Sequence, residues 1–172
     1  ISSSGRRGID DMADGGRGPM PGRRGGLGPG AALALPWTDA ARIMERCTGC
    51  GACARACPEG IVAIRRGTRP ELDLSAPCTF CGACAEACPE DVFDLERDPP
   101  WDAAAVVGTG CLEPQGVTCR ACEDACEARA LRARPRPGGV AEMTVDGDAC
   151  TGCGACLPVC PTGAIALRRG GG

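Results

Sequence analysis

The chain has 172 residues, a formal net charge of −3, 16 cysteines and no histidine. Leu, Ile, Val and Phe together number only 26, because alanine and cysteine make up much of the 44% hydrophobic content; so little apolar bulk cannot by itself offset the entropy of ordering the chain. The acidic balance excludes a global face for nucleic acid, and no segment approaches the ~20 apolar residues of a membrane span.

Residues 1–36 are rich in Gly, Arg, Pro and Ser, lack periodicity, and read as a flexible leader. Arg6-Arg7 resembles the start of a twin-arginine export signal, which requires an apolar stretch of roughly 7–15 residues soon afterwards. Asp10, Asp11, Asp14 and Arg17 follow instead, so a cytoplasmic protein is expected. Gly15-Gly16 and Gly25-Gly26 lack the strand–helix setting of a phosphate loop.

A first module is expected over residues 37–98. It opens near Trp37 and places Cys47, Cys50, Cys53 and Cys57 in a C-x2-C-x2-C-x3-C run before Pro58. A helical turn fits residues 54–56, and β-prone runs follow at 61–65 and 71–75. Cys78, Cys81, Cys84 and Cys88 repeat the run before Pro89, with a turn over 85–87 and a third β-prone run at 92–96. Asp98-Pro99-Pro100 then interrupts helix and ladder alike and marks the joint to a second module, residues 99–169.

That module begins near Trp101. Its first cysteine group is stretched: Cys111, then Cys119, Cys122 and Cys126, with Glu127 where the other groups have proline. A turn over 123–125 and β-prone runs at 130–134 and 141–146 lead to Cys150, Cys153, Cys156 and Cys160, followed by Pro161. A turn at 157–159 and a last β-prone run at 163–168 complete it, and residues 170–172 form a tail.

The cysteine run is the bacterial ferredoxin signature for 4Fe–4S clusters. Thiolates two residues apart let one short loop wrap three corners of an iron–sulfur cube, and small residues such as Gly51-Ala52, Gly82-Ala83 and Gly154-Ala155 let backbone N–H groups approach it. The fourth cysteine of each run serves the neighbouring cluster. Four sets are therefore expected: Cys47, Cys50, Cys53 with Cys88; Cys78, Cys81, Cys84 with Cys57; Cys111, Cys119, Cys122 with Cys160; and Cys150, Cys153, Cys156 with Cys126. Two readings compete. Disulfide scaffolds are usually short, secreted and irregular in spacing, and zinc sites separate their C-x2-C pairs by a dozen residues or more, frequently with histidine.

The repetition implies duplication, each unit running strand, cysteine loop, short helix, strand. Two units facing each other give the α+β ferredoxin arrangement, here doubled. Cluster ligation then replaces the missing core, and the apoprotein is expected to be largely unfolded. Each oxidised cube with its thiolates adds about −2, bringing the loaded protein to about −11 and favouring partners with basic faces. All 19 basic residues are arginine, and pairs such as Arg65-Arg66 and Arg168-Arg169 read as solvated strand ends. Trp37 and Trp101 read either as packing over the module edge or as partner anchors. No nucleophile–base pair and no small-molecule site is evident.

The order of these features resembles the NapF family, ferredoxin-type accessory proteins of the periplasmic nitrate reductase system. The similarity is carried by Arg6-Arg7-Gly8, Leu35-Pro36-Trp37, Cys47-Thr48, the second group with its Thr79-Phe80 insert, and Trp101-Asp102. Most specific is the stretched group from Gly110-Cys111-Leu112 to Cys126-Glu127. The resemblance implies a non-enzymatic, cytoplasmic protein with four 4Fe–4S clusters held by the sixteen cysteines. It implies binding to the catalytic nitrate reductase subunit before export, supplying that subunit with a cluster or with electrons. The alternative is an electron-transfer polyferredoxin subunit of a redox complex.

Overall fold

The computed structural model describes residues 33–64 and 69–169. Most of the leader, including Arg6-Arg7-Gly8 and the glycine pairs, lies outside the described residues, as do Arg65-Arg66 and the tail.

The second module holds two antiparallel strand pairs, one of them using a strand, at 104–107, that was not among the expected runs. Strand β3 (Ala104–Val107) pairs antiparallel with β6 (Ile165–Arg168), joining Ala104 to Arg168 and Val107 to Ile165. Strands β4 (Leu131–Arg136) and β5 (Val140–Val145) form a hairpin in which Leu131 faces Val145. Its tight turn needs left-handed backbone at Gly138 and Gly139, which glycine adopts without strain. The cysteine spacers form one-turn helices, α4 (Ala121–Asp124) and α5 (Cys156–Val159).

The first module departs from that plan at both ends. Among the described residues it has one strand pair, β1 (Val62–Ile64) against β2 (Pro70–Leu72), with α2 (Ala52–Ala56) and α3 (Ala83–Glu86) in the spacers. Where the second module has β3, the first has helix α1 (Ala40–Arg46). Asp39 caps it by accepting the Arg42 N–H at 2.9 Å, and the guanidinium of Arg69 reaches the terminal carbonyls of Ile43 and Met44 at 3.3 and 3.0 Å.

The strand expected over 92–96 does not form. With a helix in the partner's place, no ladder is offered to it. The segment instead turns, with Glu96 N–H bonded to the Asp94 side chain, and docks on the entry segment. The Asp94 N–H donates to the Trp37 carbonyl, and the Thr38 hydroxyl donates to the Val92 carbonyl, each at 2.7 Å.

Residues 33–36, assigned to the leader on composition, enter the core: Leu35 is fully buried and Leu33 nearly so. Trp37 and Trp101 are buried too, and both meet the ring of Phe80 edge-on, with centroids 6.2 and 6.3 Å away. Because Phe80 sits inside the second cysteine loop, both tryptophans pack against that loop. A bond from the Trp37 N–H to the Pro100 carbonyl, 2.6 Å, crosses the joint between modules.

The core is thin and runs continuously into the cysteines, with Ile61, Val92, Leu131 and Met143 among its buried members. Among the described residues no helix is long and apolar enough to cross a membrane.

Candidate metal centres

All sixteen cysteines are described, and all are free of disulfide bonds. The cysteine loops depend on left-handed turns just before their helices. Gly51 (φ 74°) and Gly82 (φ 77°) open α2 and α3, and Gly152 and Gly154 do the same work ahead of α5. At Gly152 the constraint is absolute, since a Cβ would lie 2.4 Å from the Ala103 carbonyl oxygen.

The loops bring the cysteines together across the repeats. In the second module Cys111, Cys119, Cys122 and Cys160 line one pocket together with Val107, Leu112 and Ile165. Cys126, Cys150, Cys153 and Cys156 line another, backed by Leu131 and Leu167. In each, three cysteines of one run meet the last of the other.

In the first module the thiols also influence one another across the two runs. Burial pushes up the Cys53 thiol, and the charges of Cys47 and Cys88 add to it against the opposing Ala54 amide. Burial raises Cys84 to about 11, with Cys78, Cys57, Cys53 and Cys81 as its charged neighbours.

Burial likewise lifts Cys122 to about 11 and Cys156 to about 12. Burial thus disfavours the thiolate at Cys122 and Cys156, and a cationic group beside them would favour it. Cys160 runs the other way: burial works to raise it, but the Thr162 hydroxyl and the Ala164, Thr162 and Ile165 amides outweigh burial and hold it below the ordinary thiol value.

Backbone donors aimed at sulfur fit ligand thiolates. Ala130 donates to Cys126 Sγ at 3.3 Å, Ala164 to Cys160 Sγ at 3.2 Å, and Ala105 to Cys150 Sγ at 3.4 Å. Among the described residues no three Cys, Asp or Glu side chains converge on a point where one metal ion would sit. Four thiols ringing a cavity suit a polynuclear cube, which would fill the space between them, better than a single tetrahedral zinc ion.

The stretched third group has its own support. Residues Glu113–Gln115 form a 3-10 turn closed by Gly116 in the left-handed region. Glu113 is only 4% exposed and accepts the Cys119 N–H at 2.7 Å. The Gln115 side chain donates to the Cys111 carbonyl at 2.9 Å. One turn therefore braces the ligand loop at both of its ends. Composition gave no reason to single out Glu113; its only signal is a carboxylate and a proline placed between two cysteines of one ligand set. Arg55, bonded to the Cys50 carbonyl at 3.0 Å, and Thr162, with its hydroxyl 3.6 Å from Cys160 Sγ, are further supports not foreseen from spacing.

Two family models for a 4Fe–4S dicluster domain match the chain, over residues 41–89 and 117–164. The second match starts after Cys111, so the outlying member of the stretched group falls beyond it. Ferredoxin-type protein NapF of Escherichia coli K12 is 37% identical over 132 residues, covering 76% of this chain and 80% of the relative. The NapF protein of Haemophilus influenzae is 40% identical over 135 residues, 77% of each. The methylamine utilization ferredoxin-type protein MauM of Methylorubrum extorquens is 33% identical over 154 residues, 78% of this chain and 69% of that one. With these likenesses, two dicluster domains and cysteines grouped four to a pocket in the second module, the chain belongs to the NapF family of ferredoxin-type 4Fe–4S iron–sulfur proteins.

Proposed function

We propose that the sixteen cysteines hold four 4Fe–4S clusters in the exchanged sets described above, two in each module, and that the protein is a non-enzymatic, cytoplasmic accessory factor of a periplasmic nitrate reductase. It binds the catalytic subunit of that enzyme before export and provides it with a cluster or with reducing equivalents. The observation that carries this reading is the stretched third group. Its pocket is lined by the full set of four cysteines, and between Cys111 and Cys119 an inserted turn, with Glu113 accepting the Cys119 N–H, stands in place of a short glycine loop. A site whose ligand loop depends on one such turn is the candidate for the cluster that is delivered.

The test combines anaerobic iron and sulfide analysis with capture of the unexported precursor. The reading expects about 16 iron atoms per loaded chain. It also expects transient binding to the precursor and not to the exported enzyme. Stable co-purification with a mature catalytic partner, with all iron retained through repeated reduction and oxidation, would replace it with the second reading, an electron-transfer polyferredoxin. A direct bond between ligand loops of the two modules favours that second role.

A further inference from the structure

That bond joins Cys78 to Cys153. The Cys78 N–H donates to the Cys153 carbonyl at 2.7 Å, and the two residues belong to different modules and different ligand sets. The contact is a built junction. Leu74, buried just before Cys78, lies against Gly154, where an added Cβ would meet its side chain at 3.2–3.4 Å. On the other flank Gly152 sits on the Ala103 carbonyl. Glycine at both positions lets the fourth cysteine loop approach Leu74 and β3 closely enough for its backbone to bond with the second loop.

The geometry points to a single electron path through the protein in the order first, second, fourth, third site, with the Cys78–Cys153 bond as the link between modules. This inference rests on the four-cluster reading above. Within each module the sites are tied by exchange of their last cysteines, Cys57 with Cys88 and Cys126 with Cys160. Between modules the only ligand-to-ligand bond among the described residues is the one from Cys78 to Cys153. A path from a second-site sulfur to a fourth-site sulfur therefore consists of covalent bonds and one short hydrogen bond, with no jump through space.

Chain order is thus not path order: the third group is an end of the line, and the fourth is internal. Each transfer oxidises one reduced cube by one electron and reduces its oxidised neighbour by one, with no bond made and no proton required. The electrons come from a low-potential one-electron donor, for which dithionite substitutes in the experiment.

Two variants separate inner from outer sites. Cys50→Ala/Cys53→Ala/Cys119→Ala/Cys122→Ala empties the ends and leaves the second and fourth sites. Cys81→Ala/Cys84→Ala/Cys153→Ala/Cys156→Ala leaves the first and third. Iron content near about 16 per wild-type chain tests the four-cluster reading by itself, and about half that certifies each variant. Paramagnetic resonance of the dithionite-reduced proteins should show broadened, fast-relaxing, mutually coupled signals in the first variant and isolated signals in the second. Isolated signals in the first, or equal coupling in both, would overturn the order. If either variant fails to hold iron, hydrogen–deuterium exchange on the wild-type loaded protein decides. The peptide carrying the Cys78 amide should be strongly protected, and exchange at the rate of an open loop would remove the junction and the inference with it.

Discussion

Glu113 offers the sharpest test of how the stretched group works. Its carboxylate is buried at 4% exposure and accepts the backbone N–H of a ligand residue, Cys119, at 2.7 Å. Glu113→Ala leaves that N–H without a partner and opens space beneath the turn. A hydrogen bond to a charged group contributes about 1.5–3 kcal/mol, which corresponds to about a 10- to 150-fold weaker hold on the third site. Glu113→Gln keeps an acceptor oxygen at the same reach, so its loss should be nearer 1 kcal/mol, about fivefold. The assay is anaerobic transfer of iron to a chelator, followed through the visible absorbance of the clusters. The alanine variant should release one cluster's share of iron in a fast phase, the glutamine variant in an intermediate one, while the remaining iron leaves as in the wild type. Wild-type release from Glu113→Ala would refute the idea that the carboxylate braces the site. Uniform acceleration of all iron would show that Glu113 supports the whole fold instead.

Gly152→Ala should be severe, because the new methyl meets the Ala103 carbonyl at 2.4 Å and the backbone stays at φ 72°. Gly60→Ala, at φ 65° with nothing within 4 Å, isolates the backbone part of that cost at about 1–2 kcal/mol, and anaerobic melting of the two variants separates clash from strain. Leu35→Ala removes a fully buried side chain and should cost about 2–5 kcal/mol in the same melts; an unchanged melting temperature would show that residues 33–36 do not hold the first module. Thr38→Val deletes the hydroxyl bonded to the Val92 carbonyl and should cost about 1 kcal/mol, or roughly 2–4 °C. Complete removal of iron by chelator should abolish cooperative melting and most of the circular dichroism, since the apolar core is too thin to stand alone; a native-like spectrum in the apoprotein would contradict this.

The elements legible in the sequence were those tied to the cysteine run. The four one-turn helices fall within a residue or two of their expected spacers, and both hairpins lie on β-prone runs beside the ligands. Local chemistry decides these elements: a fixed ligand spacing with glycine before a short helix leaves the chain few alternatives. The errors came where partners decide. The run at 92–96 has strand composition, but a strand requires a ladder, and Asp39 with two alanines after it had already committed the facing segment to helix α1. That cap and its alanines were a readable signal. Leu33 and Leu35 were hidden by their setting, since two leucines at the edge of a glycine-rich leader carry no periodicity. Trp37 and Trp101 could not be assigned until Phe80 was seen between them. Glu113 was invisible for another reason: a lone carboxylate in a loop is ordinarily solvated, and only the fold buries this one.

The asymmetry between modules separates the two proposed roles more clearly than the cysteine count does. A protein that only delivers a cluster needs one yielding site and no connection between halves. A protein that only carries electrons needs a connection and no yielding site. Here the stretched site lies at one end of the proposed path, and the Cys78–Cys153 bond ties its module to the other. Trp37 of the first module and Trp101 of the second meanwhile both pack on Phe80 in the second cysteine loop, the loop that leads into the junction. Close backbone contacts are concentrated where the path crosses between modules, and the site at its end is held by the single turn over Glu113–Gln115. If the third site yields its cluster, the other three are placed to reduce what it holds before release, so delivery and electron supply become successive acts of one device. Weakening Glu113 should then impair delivery while leaving the reduction of the inner sites untouched, whereas disturbing the junction at Gly154 should do the reverse.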